Sequence, residues 1–367
     1  MPTNPRLRGF VGNGGAGDSI PCRGYGGRAP HNCEALMSLP VLSRQDVLDR
    51  ILALPRPGEE NILAFYEHRL GGICRDARLM LIPLDDHLVH RSDGAFETLR
   101  YSRGIMYRPE KHLERLRRSA TGIGIAPPVP WEEIVPSILA VAGAGGEPEG
   151  LVRVLLSRGP GGFGIDPAEC PAAGLYIAAY RHPTPPDAWY RAGLKGVRAS
   201  IPAKSGGMAK IKTASYLPNV LMTKEAREKG ADVPLSYDEQ GFLAESAVAS
   251  ILLVDKEGVV LVPQSEAILP ATTVTRALEL AGPDLPRRKQ PLTEDDVREA
   301  AEILLLGTGP DCVAVTAYEG APVGGGAEGP VCRELRRLIV EDSLASGTPI
   351  PGLGEYGAAA PAPARGA

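Results

Sequence analysis

The sequence predicts an α+β protein that folds as two lobes. Its 367 residues suffice for two medium-sized lobes, each with a substantial core. Strand-like and helix-like segments do not alternate regularly, as they would in a doubly wound sheet. A proline-rich stretch at residues 182–186 (HPTPP) separates two groups of these segments and indicates an extended linker.

The chain is predicted to contain an extension, two lobes, a linker and a tail. In order, these are a peripheral N-terminal extension (1–60), a small lobe (61–181), an interdomain linker (182–193), a large lobe (194–345) and a low-complexity tail (346–367). In the extension, residues 44–54 show a helical pattern that Ser43 can cap. The GNGGAG segment that starts at Gly12 follows no strand and precedes no periodic helix, so it predicts disorder rather than a phosphate loop.

The small lobe is predicted to be rich in strands. Residues 96–101 and 105–107 flank a short turn and predict a hairpin. Pro109 then opens a helix that runs to residue 120. A second strand pair, 151–157 and 174–180, is joined by the glycine-rich loop GPGGFG. This loop lacks the Lys and Ser/Thr of a Walker loop, so we expect it to shape access to a site rather than to bind phosphate.

The large lobe combines more strands with several helices. A helix after Lys212 carries Leu217, Val220 and Leu221 on one face and ends before Gly230. The remaining predicted strands are 197–201, 233–237, 242–245, 249–254, 259–262 and 313–318, and the remaining predicted helices are 274–280, 294–304 and 332–343.

Composition argues against several classes of function. The formal charge of −4 and the lack of a dominant Lys/Arg stripe argue against a nucleic-acid-binding protein. No apolar run reaches membrane-spanning length and the N-terminus lacks a signal-peptide core, so a cytoplasmic location is expected. The six cysteines form no CxxC pair and have few histidines nearby, which predicts reduced thiols and no metal site.

Lys212 and Glu245 are the first candidate functional pair. Lys212 precedes a helix, among small and polar residues, and Glu245 lies in the small, apolar context LAESAVAS. Pyridoxal phosphate chemistry needs a lysine that forms a Schiff base and a carboxylate that holds a proton on the pyridine nitrogen. Each residue also has a plain structural explanation. Lys212 could be a surface lysine, and Glu245 could form a salt bridge with an arginine.

A second group of residues fits an anion site. Arg115 shares a helix face with His112 and suits bidentate phosphate recognition. Thr272 and Thr273 lie where a helix is predicted to begin, and Thr308 lies between glycines. Free amides and hydroxyls at such a position bind anions. The alternatives are a solvated basic face for Arg115 and simple N-capping for the threonines.

Taken together, these segments resemble the class IV aminotransferases, the fold-type IV pyridoxal-phosphate enzymes. The resemblance covers about residues 71–345 and is carried in order by LIPLDDHLVHRSDGAFETLR, HLERL, SRGPGGFG, IKTASYLPNVL, LAESAVAS, ILPATT, LLLGTG and VGGGAEGPV. The pattern is most similar to a plant-type subgroup of D-amino-acid aminotransferases and aminodeoxychorismate lyases. It implies a small N-terminal α/β lobe, a larger β-barrel-like C-terminal lobe and a homodimer.

The resemblance also implies roles for single residues. Lys212 would carry the cofactor as a Schiff base and move the substrate proton, and Glu245 would bond the pyridine nitrogen. Tyr216 would lie near the cofactor's phenolic oxygen. The phosphate would be bound by Arg115, Thr272, Thr273 and Thr308. The chain departs from the family at Ser215, Ser246 and Ala271, where small residues replace the usual Asn, Gly and Gly.

The implied substrate pocket includes Phe96, Glu97, Arg158 and Phe163. Phe163 stands where related D-amino-acid enzymes have an arginine that binds the substrate carboxylate. Carboxylate recognition could then use Arg158, Arg100 or backbone amides. An acid at Glu97 is typical of the aminotransferases in this family, whereas bacterial lyases tend to have threonine there.

The resemblance implies transamination between an amino acid, branched-chain or D, and a 2-oxo acid. One alternative is aminodeoxychorismate lyase activity, which gives 4-aminobenzoate and pyruvate; the loop SRGPGG resembles that branch. A second alternative is a pyridoxal-phosphate-binding protein without turnover, since a fold can persist after its function is lost.

Overall fold

A computed structural model describes residues 39–182 and 187–353. Contacts divide the chain into two units, Met1–Asp49 and Arg50–Ala367. The first helix, α1 (Arg44–Ala53), starts as predicted at Ser43, whose hydroxyl accepts the Asp46 amide at 3.2 Å. The GNGGAG segment, most of the HPTPP stretch and residues 354–367 lie outside the described residues.

The second unit contains two sheets and most of the helices. Its described strands are β1 (Ile62–Glu67), β2 (Gly72–Cys74), β3 (Gly94–Ser102), β4 (Ile105–Met106), β5 (Gly150–Ser157), β6 (Gly174–Tyr180), β7 (Leu194–Arg198), β8 (Val233–Tyr237), β9 (Leu243–Ser246), β10 (Ser250–Val254), β11 (Val260–Pro263), β12 (Arg287–Gln290), β13 (Glu302–Gly307), β14 (Asp311–Tyr318), β15 (Ala321–Pro322) and β16 (Thr348–Pro349). Its described α-helices are α2 (His87–Arg91), α3 (Pro109–Gly122), α4 (Trp131–Gly145), α5 (Asp187–Ala192), α6 (Leu217–Glu228), α7 (Thr272–Ala281), α8 (Glu294–Glu299) and α9 (Pro330–Ala345).

The small lobe is an antiparallel sheet covered on one face by α3 and α4. Its strand order is β16-β4-β3-β5-β6-β1-β2. Leu99 of β3 and Val152 of β5 pack with Leu116 of α3 and Ile134 of α4 in the buried core. Because side chains alternate along a strand, Phe96 and Thr98 lie on the opposite face of β3. That face is turned toward the large lobe.

The large lobe is a barrel closed by one short pairing. Its strands follow the order β12-β11-β10-β13-β14-β7-β8-β9, and β9 also pairs with β10 through Glu245 and Ser250. This pairing closes a ring of strands around a core that includes Leu194, Leu235 and Leu305. Helices α7 and α9 pack outside the ring against a second apolar cluster. The closure places Glu245 at the edge of the barrel.

The predicted helix at 294–304 is wrong in its second half. A capping box between Thr293 and Asp296 starts α8, but the helix ends at Glu299. The apolar run that follows forms β13, which is hydrogen-bonded between β10 and β14 and buried on both faces. A short, wholly apolar run fits a buried strand as well as a helix, and here the two neighbouring strands satisfy its backbone.

Three other predictions need correction. The strand expected at 197–201 lies at Leu194–Arg198, and α5 occupies part of the expected linker. The tail expected from residue 346 is wrong for residues 348–353, because β16 pairs with β4 and Ile350 is only 1% exposed in the small-lobe core. The apolar side chains of Ile350 and Leu353 pack in the core of the small lobe. Helix α4 was not predicted, and it contains Pro136.

The described residues contain no helix that is both long and apolar enough to cross a membrane. The same part of the chain holds no cluster of His, Cys, Asp and Glu suited to a metal ion. Cys74, Cys170, Cys312 and Cys332 are free thiols.

Candidate active site

A cavity of about 500 Å³ lies between the two lobes. The small lobe contributes the exposed face of β3 and β5, and the large lobe contributes the barrel edge and two turns. The residues used below that line it are Phe96, Thr98, Arg115, Arg153, Lys212, Tyr216, Glu245, Val248, Thr272, Thr273 and Thr308. Its volume is within the range of about 300–1,000 Å³ that is common for cofactor and ligand pockets.

Lys212 is fixed by backbone contacts between the lobes. Its carbonyl accepts the amide of Phe96 at 3.0 Å, and its amide donates to the hydroxyl of Ser119 at 3.0 Å. The side chain is half-buried, and its Nζ donates to Tyr216 Oη at 3.0 Å. Burial lowers the pKa of Lys212 to about 8, and the positive charge of Arg115 contributes in the same direction. More of this amine is therefore unprotonated near neutral pH than in a surface lysine.

Tyr216 lies just before α6 and contacts several charged groups. Its ring meets that of Phe96 edge to face, with 4.9 Å between the centroids, and Lys204 Nζ lies 4.3 Å from its centroid. Burial, with the nearby charge of Glu245, raises the pKa of Tyr216 to about 12. The phenol is thus neutral and accepts the proton of Lys212 Nζ.

Glu245 faces the cavity from β9, beside the barrel closure. Its carboxylate is half-buried and accepts the backbone amide of Leu269. Within the described part of the chain it forms no salt bridge, unlike the alternative considered from the sequence. Burial raises the pKa of Glu245 to about 7. An acid with a pKa raised in this way can share a proton with a basic ring nitrogen.

The predicted anion-binding residues meet at one end of the cavity. Thr272 and Thr273 are the first two residues of α7, and its N-cap, Ala271, makes no side-chain capping bond. The first amides of a helix have no partner within the helix and carry the positive end of its dipole. Thr308 follows β13 and lines the same end as Arg115. Simple N-capping therefore does not account for the two threonines.

Glu97 lies behind the cavity wall rather than in it. Its side chain is 1% exposed and points toward α3, where it accepts hydrogen bonds from Arg115 and His112. These bonds hold the pKa of Glu97 at about 2 despite its burial. Arg115 in turn donates from Nη1 to the carbonyl of Pro270 at 3.2 Å.

Arg158 and Phe163 are outside the cavity wall. Arg158 donates from Nε to Asp93 at 2.9 Å and also binds the carbonyl of Ile123. Phe163 is 64% exposed and packs on His90. Arg100, a further candidate for carboxylate recognition, is paired with Asp311 at 2.5 Å.

Thr98 and Arg153 are cavity residues that the sequence analysis missed. They are directly opposite each other in the β3–β5 register, so both lie on the cavity face. The Arg153 guanidinium stands 4.7 Å from the centroid of Phe96, and its Nε is buried without a hydrogen-bond partner among the described residues. The period of two along the predicted strands, counted from Phe96, would have placed Thr98 rather than Glu97 in the cavity.

The sequence pattern of the class IV amino-transferase family matches residues 94–318, which include every residue of this cavity named above. A D-amino-acid transaminase, chloroplastic, of Arabidopsis thaliana is 34% identical over 319 residues, covering 85% of this chain and 84% of that protein. The chain belongs to the class IV aminotransferase family, a family of pyridoxal-phosphate-dependent enzymes. The family predicted from the sequence is thus confirmed.

More distant relatives agree. The branched-chain-amino-acid aminotransferase of Escherichia coli (strain K12) is 25% identical over 273 residues, covering 69% of this chain and 85% of that protein. The solved structure of the branched-chain aminotransferase from the thermophilic archaeon Thermoproteus uzoniensis, with norvaline, has a TM-score of 0.70 at 22% identity, covering 78% and 99% of the two chains. This likeness confirms the predicted fold class.

Proposed function

We propose that this chain binds pyridoxal phosphate at the interlobe cavity and uses it to move an amino group between an amino acid and a 2-oxo acid. The observation that carries the proposal is the grouping in one cavity of an amine with a lowered pKa, an acid with a raised pKa and an anion site. Perturbed pKa values of opposite sign in one cleft are typical of catalytic sites.

The residues present fit this cofactor. Lys212 supplies the amine for covalent attachment, Glu245 the acid for the pyridine nitrogen, and Thr272, Thr273 and Thr308 the donors for the phosphate. Glu245 has no salt-bridge partner of its own in the described residues, so a protonated ring nitrogen would satisfy it. When bound, the cofactor supplies an electron sink for the substrate carbanion.

The chain's own groups perform the proton transfers. Lys212 Nζ, once unprotonated, is the base that takes the proton from the substrate Cα and later returns a proton. Its bond to Tyr216 Oη orients the amine toward the cavity. Glu245 lies at the far end of the site from Lys212. Because its pKa is raised to about 7, its carboxyl group can share a proton with the ring nitrogen instead of losing that proton to water.

Arg153 is the group proposed to bind the substrate carboxylate. It is a cation on the cavity wall with an unused donor, whereas Arg158 and Arg100 are occupied by acids. A guanidinium binds a carboxylate with two parallel hydrogen bonds. The sequence had left Arg158, Arg100 and backbone amides open for this role.

D-amino acids are the favoured substrates, because the relative with 34% identity is named a D-amino-acid transaminase. Branched-chain L-amino acids remain the second choice, on the relatives named for them. The test incubates the protein and the cofactor with D-alanine or L-leucine, with and without 2-oxoglutarate, and measures the new 2-oxo acid. Sustained turnover with D-alanine only when the acceptor is present supports the proposal, and no 2-oxo acid from either donor contradicts it.

Aminodeoxychorismate lyase activity is the second candidate, and one observation favours it. Thr98 lies on the cavity wall, one residue after the position where bacterial lyases were expected to have threonine. A lyase would form 4-aminobenzoate and pyruvate from aminodeoxychorismate without an acceptor. Thr98→Val would remove the hydroxyl at nearly constant volume, so loss of this product in T98V but not of transamination would assign the lyase reaction to Thr98.

We also propose a homodimer. Leu217 and Val220 on α6 are exposed apolar residues that follow the lysine segment, and Val248, 79% exposed, lines the cavity. A second copy would cover this patch. Light scattering should give twice the mass of one chain. Val220→Glu should reduce this mass, and Lys256→Glu, in the turn between β10 and β11, should leave it unchanged. A wild-type monomer at micromolar concentration would contradict the proposal.

A further inference from the structure

Arg115 is held from behind by a buried acid. Glu97 Oε1 accepts from Arg115 Nε at 2.6 Å, and Glu97 Oε2 accepts from Arg115 Nη2 at 2.8 Å. His112 donates from Nδ1 to the same Oε2 at 2.8 Å. All three side chains are buried between β3 and α3. Glu97 therefore has no route to a substrate in the cavity.

The guanidinium of Arg115 is only partly used by these contacts. It has five N–H donors. Among the described residues, Nε and Nη2 bind Glu97, and Nη1 binds the carbonyl of Pro270, which directly precedes the turn into α7. The remaining donors belong to a residue that lines the cavity beside Thr272 and Thr273. Three of the five N–H donors thus have partners among the described residues, and the two that remain, one on Nη1 and one on Nη2, are left for an anion.

We propose that Glu97 and His112 are positioning residues that hold Arg115 in the orientation in which it binds the cofactor phosphate. The inference rests on the proposed function. Glu97 would then affect the affinity for the cofactor, and not the choice of substrate that the sequence suggested. Glu97 fixes the guanidinium directly, and His112 fixes Glu97.

The physical basis is the cost of ordering a long cation. An arginine side chain loses rotamer freedom when it binds a ligand. A guanidinium that is already fixed by other contacts has lost that freedom before the ligand arrives. Bidentate binding by Glu97 fixes both the position and the plane of the guanidinium. The hydrogen bond from His112 occupies Glu97 and prevents the carboxylate from turning away from Arg115. Helix α3 carries His112 and Arg115 one turn apart, so the arrangement is rigid.

The test compares pyridoxal phosphate with pyridoxal, which lacks the phosphate. Dissociation constants are measured by fluorescence or dialysis for the wild type and for Glu97→Gln. We expect E97Q to weaken pyridoxal phosphate binding about tenfold to a hundredfold, the range for a lost hydrogen bond to a charged group. Pyridoxal binding should change less than about threefold, because that ligand does not use Arg115. A role confined to overall stability would weaken both ligands alike.

Two variants of His112 guard against misfolding of E97Q. His112→Leu removes the donor to Glu97, and His112→Asn keeps an N–H donor at the same number of bonds from the backbone. We expect H112L to weaken pyridoxal phosphate binding selectively and H112N to restore it in part. Glu114→Gln is the matched control, since Glu114 lies on the same helix, is exposed and pairs with the exposed Lys111.

Equal weakening of both ligands in E97Q and H112L, or no weakening in either, would overturn the inference. The wild type tests the proposed function separately. If the wild type binds pyridoxal phosphate no better than pyridoxal, the phosphate site itself is wrong. If it prefers pyridoxal phosphate strongly while the variants keep that preference, only the role of Glu97 and His112 is wrong.

Discussion

Lys212 and Glu245 have pKa values displaced in opposite directions by the same cause. Burial disfavours the charged form of each, so the pKa of Lys212 falls to about 8 and that of Glu245 rises to about 7. Each group is thereby brought near the pH at which it must exchange a proton. A surface lysine and a salt-bridged glutamate would show neither displacement.

The pKa of Lys212 predicts the pH dependence of cofactor attachment. Only the unprotonated amine attacks an aldehyde, so the attachment rate should rise about tenfold per pH unit below pH 8 and level off above it. An exposed lysine would show a rise that continues toward its ordinary pKa of about 10.4. Stopped-flow absorbance after mixing apoprotein with pyridoxal phosphate measures the rate. A rise that continues past pH 9.5 would contradict the burial of this amine.

The ionised carboxylate of Glu97 is expected to stabilise the folded protein. This carboxylate has a folded-state pKa of about 2 against an ordinary value of 4.5, so its contribution is complete above pH 4.5 and is lost as the pH falls toward 2. Glu97→Gln leaves Arg115 buried without a counter-charge and should lower the free energy of unfolding by about 3 kcal/mol at pH 7. Urea titrations should show that the difference in free energy of unfolding between the wild type and E97Q becomes smaller below pH 4.5. A difference between the two proteins that stays constant with pH would argue against an ionised Glu97.

At the scale of elements, the alternation along β3 and β5 decides which side chains reach the cavity. Arg153, opposite Thr98, faces it, while Arg158 lies beyond the end of β5 and is bound to Asp93. Arg153→Met keeps most of the side-chain volume but removes the cation. It should raise the KM for the amino donor about tenfold to a hundredfold, with little change in pyridoxal phosphate affinity.

Arg158→Met is the comparison for this prediction. It removes an arginine from the same segment without removing charge from the cavity, so the KM for the amino donor should stay within about threefold of the wild type. Steady-state kinetics for both variants check the assignment. A larger rise in KM for R158M than for R153M would contradict the assignment and favour Arg158, one of the candidates drawn from the sequence.

Local patterns predicted most of the elements that hold the site. Strands β6 and β8 have the predicted bounds, and α3 begins at Pro109 as predicted. The pattern failed at β13, because a fully buried strand has no polar face to mark a period of two. The sequence also grouped Lys212, Glu245 and the threonines as one candidate site, and all of them line the interlobe cavity. It could not show that Glu97 turns away from the cavity, since that depends on where α3 packs.

At the scale of the whole molecule, the C-terminal part of the described chain completes the small lobe. After α9, β16 joins the sheet beside β4, and Ile350 and Leu353 are 1% and 4% exposed. Truncation after Gly347 would remove both side chains from the core and should lower the free energy of unfolding by several kcal/mol, at roughly 2–5 for each large apolar side chain. Truncation after Leu353 removes only residues beyond the described part. Equal thermal stability of the two truncated proteins would contradict this role of β16.

The site depends on the proximity of the two lobes at the cavity, because Lys212 is anchored to β3 of the small lobe while Glu245 and the threonines belong to the large lobe. The direct test is to load the protein with pyridoxal phosphate, reduce it with borohydride and map the modified peptide by mass spectrometry. We expect a single phosphopyridoxyl group on Lys212, absent in Lys212→Ala and retained in Lys210→Ala. Modification of Lys204 or Lys210 instead, or labelling that survives in K212A, would contradict it.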